Sequence, residues 1–231
     1  MEAEDLSLLV GAAERIANVM VTIAPENTTP AQIKTMVAAG ITVSLGHSDA
    51  DMATCHAAFD AGARCVTHLF NAMSQLGNRE PGLVGATLER EDVYAGLIAD
   101  TVHVHPATIR IALAAKPRSE RIFLVTDAMA TAGSDITQFT LNGREVFRQK
   151  KRLTLADGTL AGADLEMPRA LSVMLNNVGD ETGQAVSRAT ATPATLLRER
   201  DGLARLAGQT RHAVYFPKGL AQAENFQLIG A

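Results

Sequence analysis

The sequence is poor in cysteine, in long apolar runs and in charge of either sign. Its two cysteines, Cys55 and Cys65, show no C-x-x-C spacing, which argues against a zinc ribbon or a disulfide framework and leaves two buried thiols as the expectation. The longest apolar stretches are broken by Gly, Asp or His, well short of the roughly 18 to 20 residues that a spanning helix requires. No membrane span is expected. Net charge is −4 and neither sign forms a long run, so neither a nucleic-acid footprint nor an anionic membrane surface is indicated. The first ten residues carry Glu2, Glu4 and Asp5 where a signal peptide carries cations, and the expected compartment is the cytoplasm. Low-complexity segments are absent as well. Small molecules and further copies of the chain remain as partners.

What is there is ample apolar material. At 231 residues and 47% hydrophobic, the chain can bury a substantial core as one large domain or one domain with a small appendage. From residue 5 to 126 an amphipathic helix, a short apolar strand and a polar tip recur, which is a βα rhythm. Leu6, Leu9, Val10, Ala13, Ile16 and Ala17 follow helical spacing and predict a helix over 5–17. Buried parallel strands are predicted at 19–24, 41–45, 63–67, 94–98 and 122–126. Between the first two, Thr29 is placed to cap a helix, Pro30 fits its first position and Gly40 its left-handed exit.

After Asp127 the rhythm changes. The dipeptide Asn142-Gly143 between two apolar runs signals a hairpin, and Leu153 to Leu155 with Asp157-Gly158 suggests another. Residues 167 to 198 read as helical, with Thr192-Pro193 as cap and first turn, and 212 to 229 as one or two strands. The predicted organisation is therefore α/β: a partial (β/α) barrel at 1–135, a β-hairpin segment at 136–165, a helical segment completing the barrel at 166–200 and a C-terminal segment at 201–231.

Four polar residues, His47, His68, His103 and Asp127, each follow an apolar strand. In a parallel barrel such ends converge on one mouth, where catalytic groups gather. Two imidazoles and a carboxylate suit a catalytic Zn²⁺ or Fe²⁺, and a free carboxylate beside metal-bound water suits general-base work. Each histidine alone is equally readable as an ordinary strand-end polar residue. His56 and His212 read as surface residues, and His103-Val-His105 has metal-pair spacing on a strand.

The ordered words Val21-Thr-Ile-Ala-Pro-Glu26, Gly46-His-Ser-Asp-Ala50, Val66-Thr-His-Leu-Phe-Asn-Ala-Met73, Arg79-Glu-Pro-Gly82, Ile98-Ala-Asp-Thr-Val-His-Val104, Leu124-Val-Thr-Asp-Ala128 and Gly158-Thr-Leu-Ala-Gly162 resemble the N-acetylglucosamine-6-phosphate deacetylases of the amidohydrolase superfamily. The resemblance spans roughly residues 6 to 200. It implies a TIM-like barrel, of which about five of eight βα units are readable here, with a remnant of a small β-sandwich. It also implies that His47 and His68 are metal ligands and that Asp127 activates water and later protonates the departing amine. Asn71, Ala72 and Met167 then contact the sugar, and Arg79 and His103 hold its phosphate, Arg79 across a homodimer interface. A guanidinium and an imidazole suit a phosphate chemically.

The sequence departs from that pattern in lacking an earlier segment, which in the family also supplies a histidine that polarises the scissile carbonyl, and in its weakly matching stretch from Gly202 onward. The family's remaining metal ligand is a glutamate in a His-Leu-Glu-Gly-Pro segment on an earlier strand, and this chain contains no such segment. The resemblance thus implies an N-terminally truncated member with impaired deacetylase activity. Glu26 occupies a position that is glutamate in the family alongside the true ligand, so it is not promoted to that role. The alternative reading is a non-catalytic remnant that binds a sugar phosphate or itself. An amidohydrolase of another substrate class is a third, which leaves Arg79 and His103 without a purpose.

Overall fold

The computed structural model describes residues 1–197, 213–220 and 227–229. It divides into two compact units, one comprising Met1–Leu97, Ile111–Phe123 and Thr190–Ala204, the other Ile98–Arg110, Leu124–Ala189 and Arg205–Ala231.

The first unit is built on parallel strands. β1 (Met20–Ile23), β2 (Thr42–Leu45), β3 (Cys65–Val66), β4 (Tyr94–Ile98) and β5 (Ile122–Val125) form one sheet in that order. The pairs β1–β2, β2–β3 and β3–β4 are parallel, as expected when strands alternate with helices. Residues of β2, β3 and β4 are buried throughout, and of their side chains only the small hydroxyls of Thr42 and Ser44 and the Tyr94 phenol are polar. β1 differs, with Met20 42% exposed.

Helices α2 (Pro30–Ala38), α3 (Met52–Asp60) and α4 (Gly82–Glu89) follow strands β1, β2 and β3 in the chain. They bury Ile33 and Met36, Cys55 and Phe59, and Leu83 and Val84. α2 begins as its sequence indicates. Thr29 and Gln32 form a capping box, Pro30 opens the helix, and Gly40 takes φ 86°. The first helix, α1 (Ala3–Ala13), is shorter than the predicted 5–17 and buries none of its residues. Ile16 lies beyond it and is 55% exposed. Its start is fixed locally, with the Glu2 amide donating to Asp5 at 2.9 Å, so capping sets this helix more than packing does.

Lys116 follows α5 (Pro106–Ala115) and is buried at 3% exposure. Its Nζ donates to the carbonyls of Thr87 at 3.0 Å and Arg90 at 2.6 Å, closing the C-terminal end of α4 where carbonyls lack helical partners.

The second unit carries an antiparallel meander, β6 (Gln138–Leu141), β7 (Arg144–Gln149) and β8 (Arg152–Leu155). Its first turn is the predicted Asn142-Gly143, both at positive φ, as a type I′ turn requires. Val146 and Leu153 are its buried residues. α6 (Met167–Val173), a π turn over Met174–Val178 and α7 (Thr182–Ala189) follow. In the first unit α8 (Ala191–Leu196) starts one residue before the predicted Thr192, whose hydroxyl instead donates to the Glu120 carbonyl at 3.0 Å. β9 (Ala213–Tyr215) and β10 (Gln227–Ile229) pair antiparallel. Residues 198–212 fall outside the described residues, and with them His212 and the end of the predicted helical segment.

Burial lowers the Lys116 pKa from its ordinary value to about 8, so the folded chain releases this proton before the unfolded chain does. The resulting destabilisation is complete below about pH 8 and disappears as the pH rises through 10.5. Chemical denaturation across that window should show a stability rise in the parent chain that Lys116→Met lacks. Parallel curves for the two proteins would contradict this.

Candidate functional site

The chemistry-bearing residues of the first unit stand at strand ends. His47 lies two residues past β2 and His68 two past β3. Their Nε2 atoms are 3.1 Å apart and their rings meet edge to face, with centroids separated by 4.6 Å. Two nitrogens bound to one Zn²⁺ at 2.0–2.1 Å stand about 3.3 Å apart in tetrahedral geometry. The pair therefore fits two positions around a divalent cation. Among the described residues no cluster of three or more His, Cys, Asp or Glu side chains suits a metal ion. The two cysteines are buried and free, and burial pushes both thiols up to about 12, which removes them as thiolate ligands at neutral pH.

Backbone conformation aims the two rings. His47 has φ 50° and His68 φ 32°, and Phe70 and Ala72 are also positive. Non-glycine residues in that region are strained and persist only where their surroundings hold them. Around His47 those surroundings are visible. The Ser48 amide donates to the Ala72 carbonyl at 3.1 Å and the Ser74 amide to the Ser48 carbonyl at 2.9 Å. Glu26 accepts from the Ser48 hydroxyl at 2.6 Å and from the Asp49 amide at 3.2 Å. Its carboxylate thus clamps the turn after His47. At His68 the Leu69 amide donates to the Gly96 carbonyl at 2.8 Å, and the Asn71 side chain donates to the carbonyls of His68 and Leu69, each at 3.3 Å. Gly46 lies in a tight space, where a Cβ would stand 3.1 Å from Thr67 Cβ and 3.2 Å from Thr22 Cγ2. Ala72 and Arg79 are exposed. The Arg79 loop is shaped by the Gly77 amide donating to the Glu80 carbonyl at 3.0 Å.

In the second unit Asp127 follows β5 at φ 51° and is exposed. Its carbonyl accepts from the Ala163 amide at 2.8 Å, and a Cβ on Gly162 would stand 3.1 Å from the same oxygen. The Gly158 to Gly162 word thus serves to hold Asp127. His103 is paired with Asp100, Nδ1 to Oδ2 at 2.6 Å. The segment carrying His103 and His105 is irregular, not the strand that their spacing suggested, because Asp100 draws the chain into a turn. Burial pushes the Asp100 carboxyl up, but hydrogen bonds from the His103 ring and from the amides of His103 and Val102 outweigh it, and the net shift is downward. Met167 opens α6 and is half-buried. A cavity of about 210 Å³ in this unit is lined by Arg148, Asp164, Glu166 and Arg169 among others.

Sequence reasoning missed the work of Glu26, Ser48 and Asp100. Only Asp100 offered a local signal, an acid three residues before a histidine. His56, expected at the surface, is half-buried and pairs with Glu89 at 3.0 Å.

No family model matches the sequence. The chain is 44% identical over 179 residues to an N-acetylgalactosamine-6-phosphate deacetylase of a Shewanella strain, covering 78% of this chain and 45% of that protein. It is 36% identical over 214 residues to an N-acetylglucosamine-6-phosphate deacetylase of Haemophilus influenzae, covering 90% of this chain and 54% of that protein. A crystal structure of N-acetylglucosamine-6-phosphate deacetylase from Pasteurella multocida superposes with a TM-score of 0.79 at 33% identity, over 86% of this chain and 51% of that one. The chain spans about half the length of the curated relatives it matches.

His47 is exposed and left-handed, so its replacement tests the strain directly. His47→Gly should be more stable than His47→Ala by about 1 kcal/mol, because only glycine takes that φ freely. Urea midpoints in the other order would show the turn to be unstrained.

Proposed function

We propose that this chain, a relative of the N-acetylhexosamine-6-phosphate deacetylases over about half their length, carries the metal-binding histidines, the catalytic acid and the phosphate contacts of that reaction. The observation that supports the reading most is the approach of two strained strand-end imidazoles to 3.1 Å between their Nε2 atoms. His47 and His68 would hold a divalent cation, Zn²⁺ or Fe²⁺. When bound, such an ion supplies Lewis acidity and lowers the pKa of a coordinated water to about 7.

The rest falls to the chain's own side chains. Asp127 accepts the proton of the attacking water and returns it to the leaving nitrogen, so that the amide C–N bond breaks, acetate departs and the amino-sugar phosphate remains. Asn71 and Ala72 would contact the sugar, Met167 would cover its ring, and His103 would bind the phosphate. Exposed Arg79 would reach the phosphate in a homodimer, across the subunit boundary. The five-stranded sheet is read here as an arc of a (β/α) barrel, and the β6–β8 meander with β9–β10 as parts of a small β-sandwich.

Two imidazoles hold a cation weakly without a carboxylate ligand. Because this chain contains no His-Leu-Glu-Gly-Pro segment, its own turnover is expected to be impaired, and a longer version carrying such a segment should surpass it. Related proteins are named for either the glucosamine or the galactosamine sugar, which favours a second reading in which the 4-epimer is the substrate.

Calorimetry with Zn²⁺ should show weak binding to this chain that His47→Ala and His68→Ala each abolish. Acetate release should be measured from both N-acetylhexosamine 6-phosphates, on this chain and on the longer version, with Zn²⁺ or Fe²⁺ added. Turnover of neither sugar by the longer version, or Zn²⁺ binding indifferent to both substitutions, would remove the hydrolase reading.

A further inference from the structure

The Asp100 carboxylate is buried at 2% exposure, and both of its oxygens are occupied. Oδ1 accepts from the backbone amides of Val102 and His103, each at 2.8 Å, and Oδ2 meets His103 Nδ1 at 2.6 Å. The His103 side chain is itself only 6% exposed. The turn that makes this pairing possible passes through Thr101 at φ 68°, a strained conformation for a β-branched residue. The Asp100 carbonyl is held in turn by Arg169, whose Nη2 donates to it at 3.3 Å while Nη1 donates to the Asp164 carbonyl at the same distance. An acid with both oxygens engaged is poorly placed for a metal or for base catalysis. It is well placed to orient a ring.

We propose that Asp100 is a positioning residue for His103, fixing the proton of its imidazole on Nδ1 and leaving Nε2 as the one ring nitrogen open to the sugar phosphate. This rests on the reading of His103 as a phosphate contact. An ionised carboxylate only accepts hydrogen bonds, so the ring nitrogen facing it must carry the hydrogen. Any second proton is then confined to Nε2, where it makes a charge-assisted bond to an anionic oxygen. The neighbouring charged groups are Arg169, which meets the backbone of Asp100, and exposed His105 on the same segment.

Asp100→Asn reverses the arrangement without emptying the site. The amide oxygen keeps the two backbone amides, and the amide nitrogen, a donor, must then face Nδ1. The neutral ring is forced to carry its proton on Nε2. The experiment is imidazole ¹⁵N NMR of the full chain, without added metal, combined with calorimetric titration of glucosamine 6-phosphate. In the parent chain His103 should show the Nδ1–H tautomer, and in Asp100→Asn the Nε2–H tautomer with affinity about tenfold lower, as the charge-assisted bond is lost. His103→Ala should weaken binding at least as far.

An Nε2–H tautomer in the parent chain overturns the proposal without recourse to any variant. It is overturned equally if Asp100→Asn leaves the tautomer unchanged, or if affinity survives Asp100→Asn while His103→Ala destroys it. Undiminished binding by His103→Ala instead withdraws the phosphate reading of His103, and the NMR result still decides whether Asp100 sets the tautomer.

Discussion

A left-handed backbone at the ends of buried strands is the constraint from which the site geometry follows. His47, His68, Ala72 and Asp127 all have positive φ, and each costs roughly 1 to 2 kcal/mol relative to ordinary strand or helix geometry. A free chain would relax these residues. Here they follow strands whose residues are largely buried and are tied down by specific bonds, the Ser48–Ala72 and Leu69–Gly96 backbone bonds in the first unit and the Ala163–Asp127 bond in the second. Sharp reversal directly after a strand lets a side chain leave the strand end instead of lying on the sheet face. That is how two imidazoles 21 residues apart in the chain become neighbours at 3.1 Å.

Carboxylates supply much of the holding. Glu26 engages the turn after His47 through Ser48 and Asp49, Asp100 engages its own turn and the His103 ring, and Glu80 accepts from the amides of Met52 and Gly82. Each of them satisfies hydroxyl, loop or first-turn helix donors that regular secondary structure leaves unpaired. Acidic residues near the candidate site thus divide by what they touch. Glu26 and Asp100 spend their oxygens on the fold, whereas Asp127 is exposed and held by its backbone.

Much of the fold was legible because burial imposes composition locally. A continuous apolar run marked β4, Asn142-Gly143 marked the meander's first turn, and Thr29, Pro30 and Gly40 marked both ends of α2. The failures share a cause. α1 was extended to residue 17 on apolar spacing alone, although spacing does not say whether a partner surface exists, and none of its residues is buried. His103 and His105 looked like a strand pair because alternation is a two-residue pattern, which a turn built on a buried carboxylate can imitate.

By itself the sequence determined which residue types stand at the strand ends, since the buried strands of a parallel sheet are predominantly apolar and leave the imidazoles and carboxylates to the ends. It also determined the relationship to the deacetylases, through words that keep their order along the chain. Only the tertiary structure decided that His47 and His68 point their Nε2 atoms at each other, that Glu26 is a clamp and that Asp100 faces His103. Those outcomes turn on φ angles and on hydrogen bonds between segments distant in the chain, such as Ser74 to Ala50 and Arg169 to Asp100, and such pairings depend on how separate segments pack, which no local pattern of residues encodes.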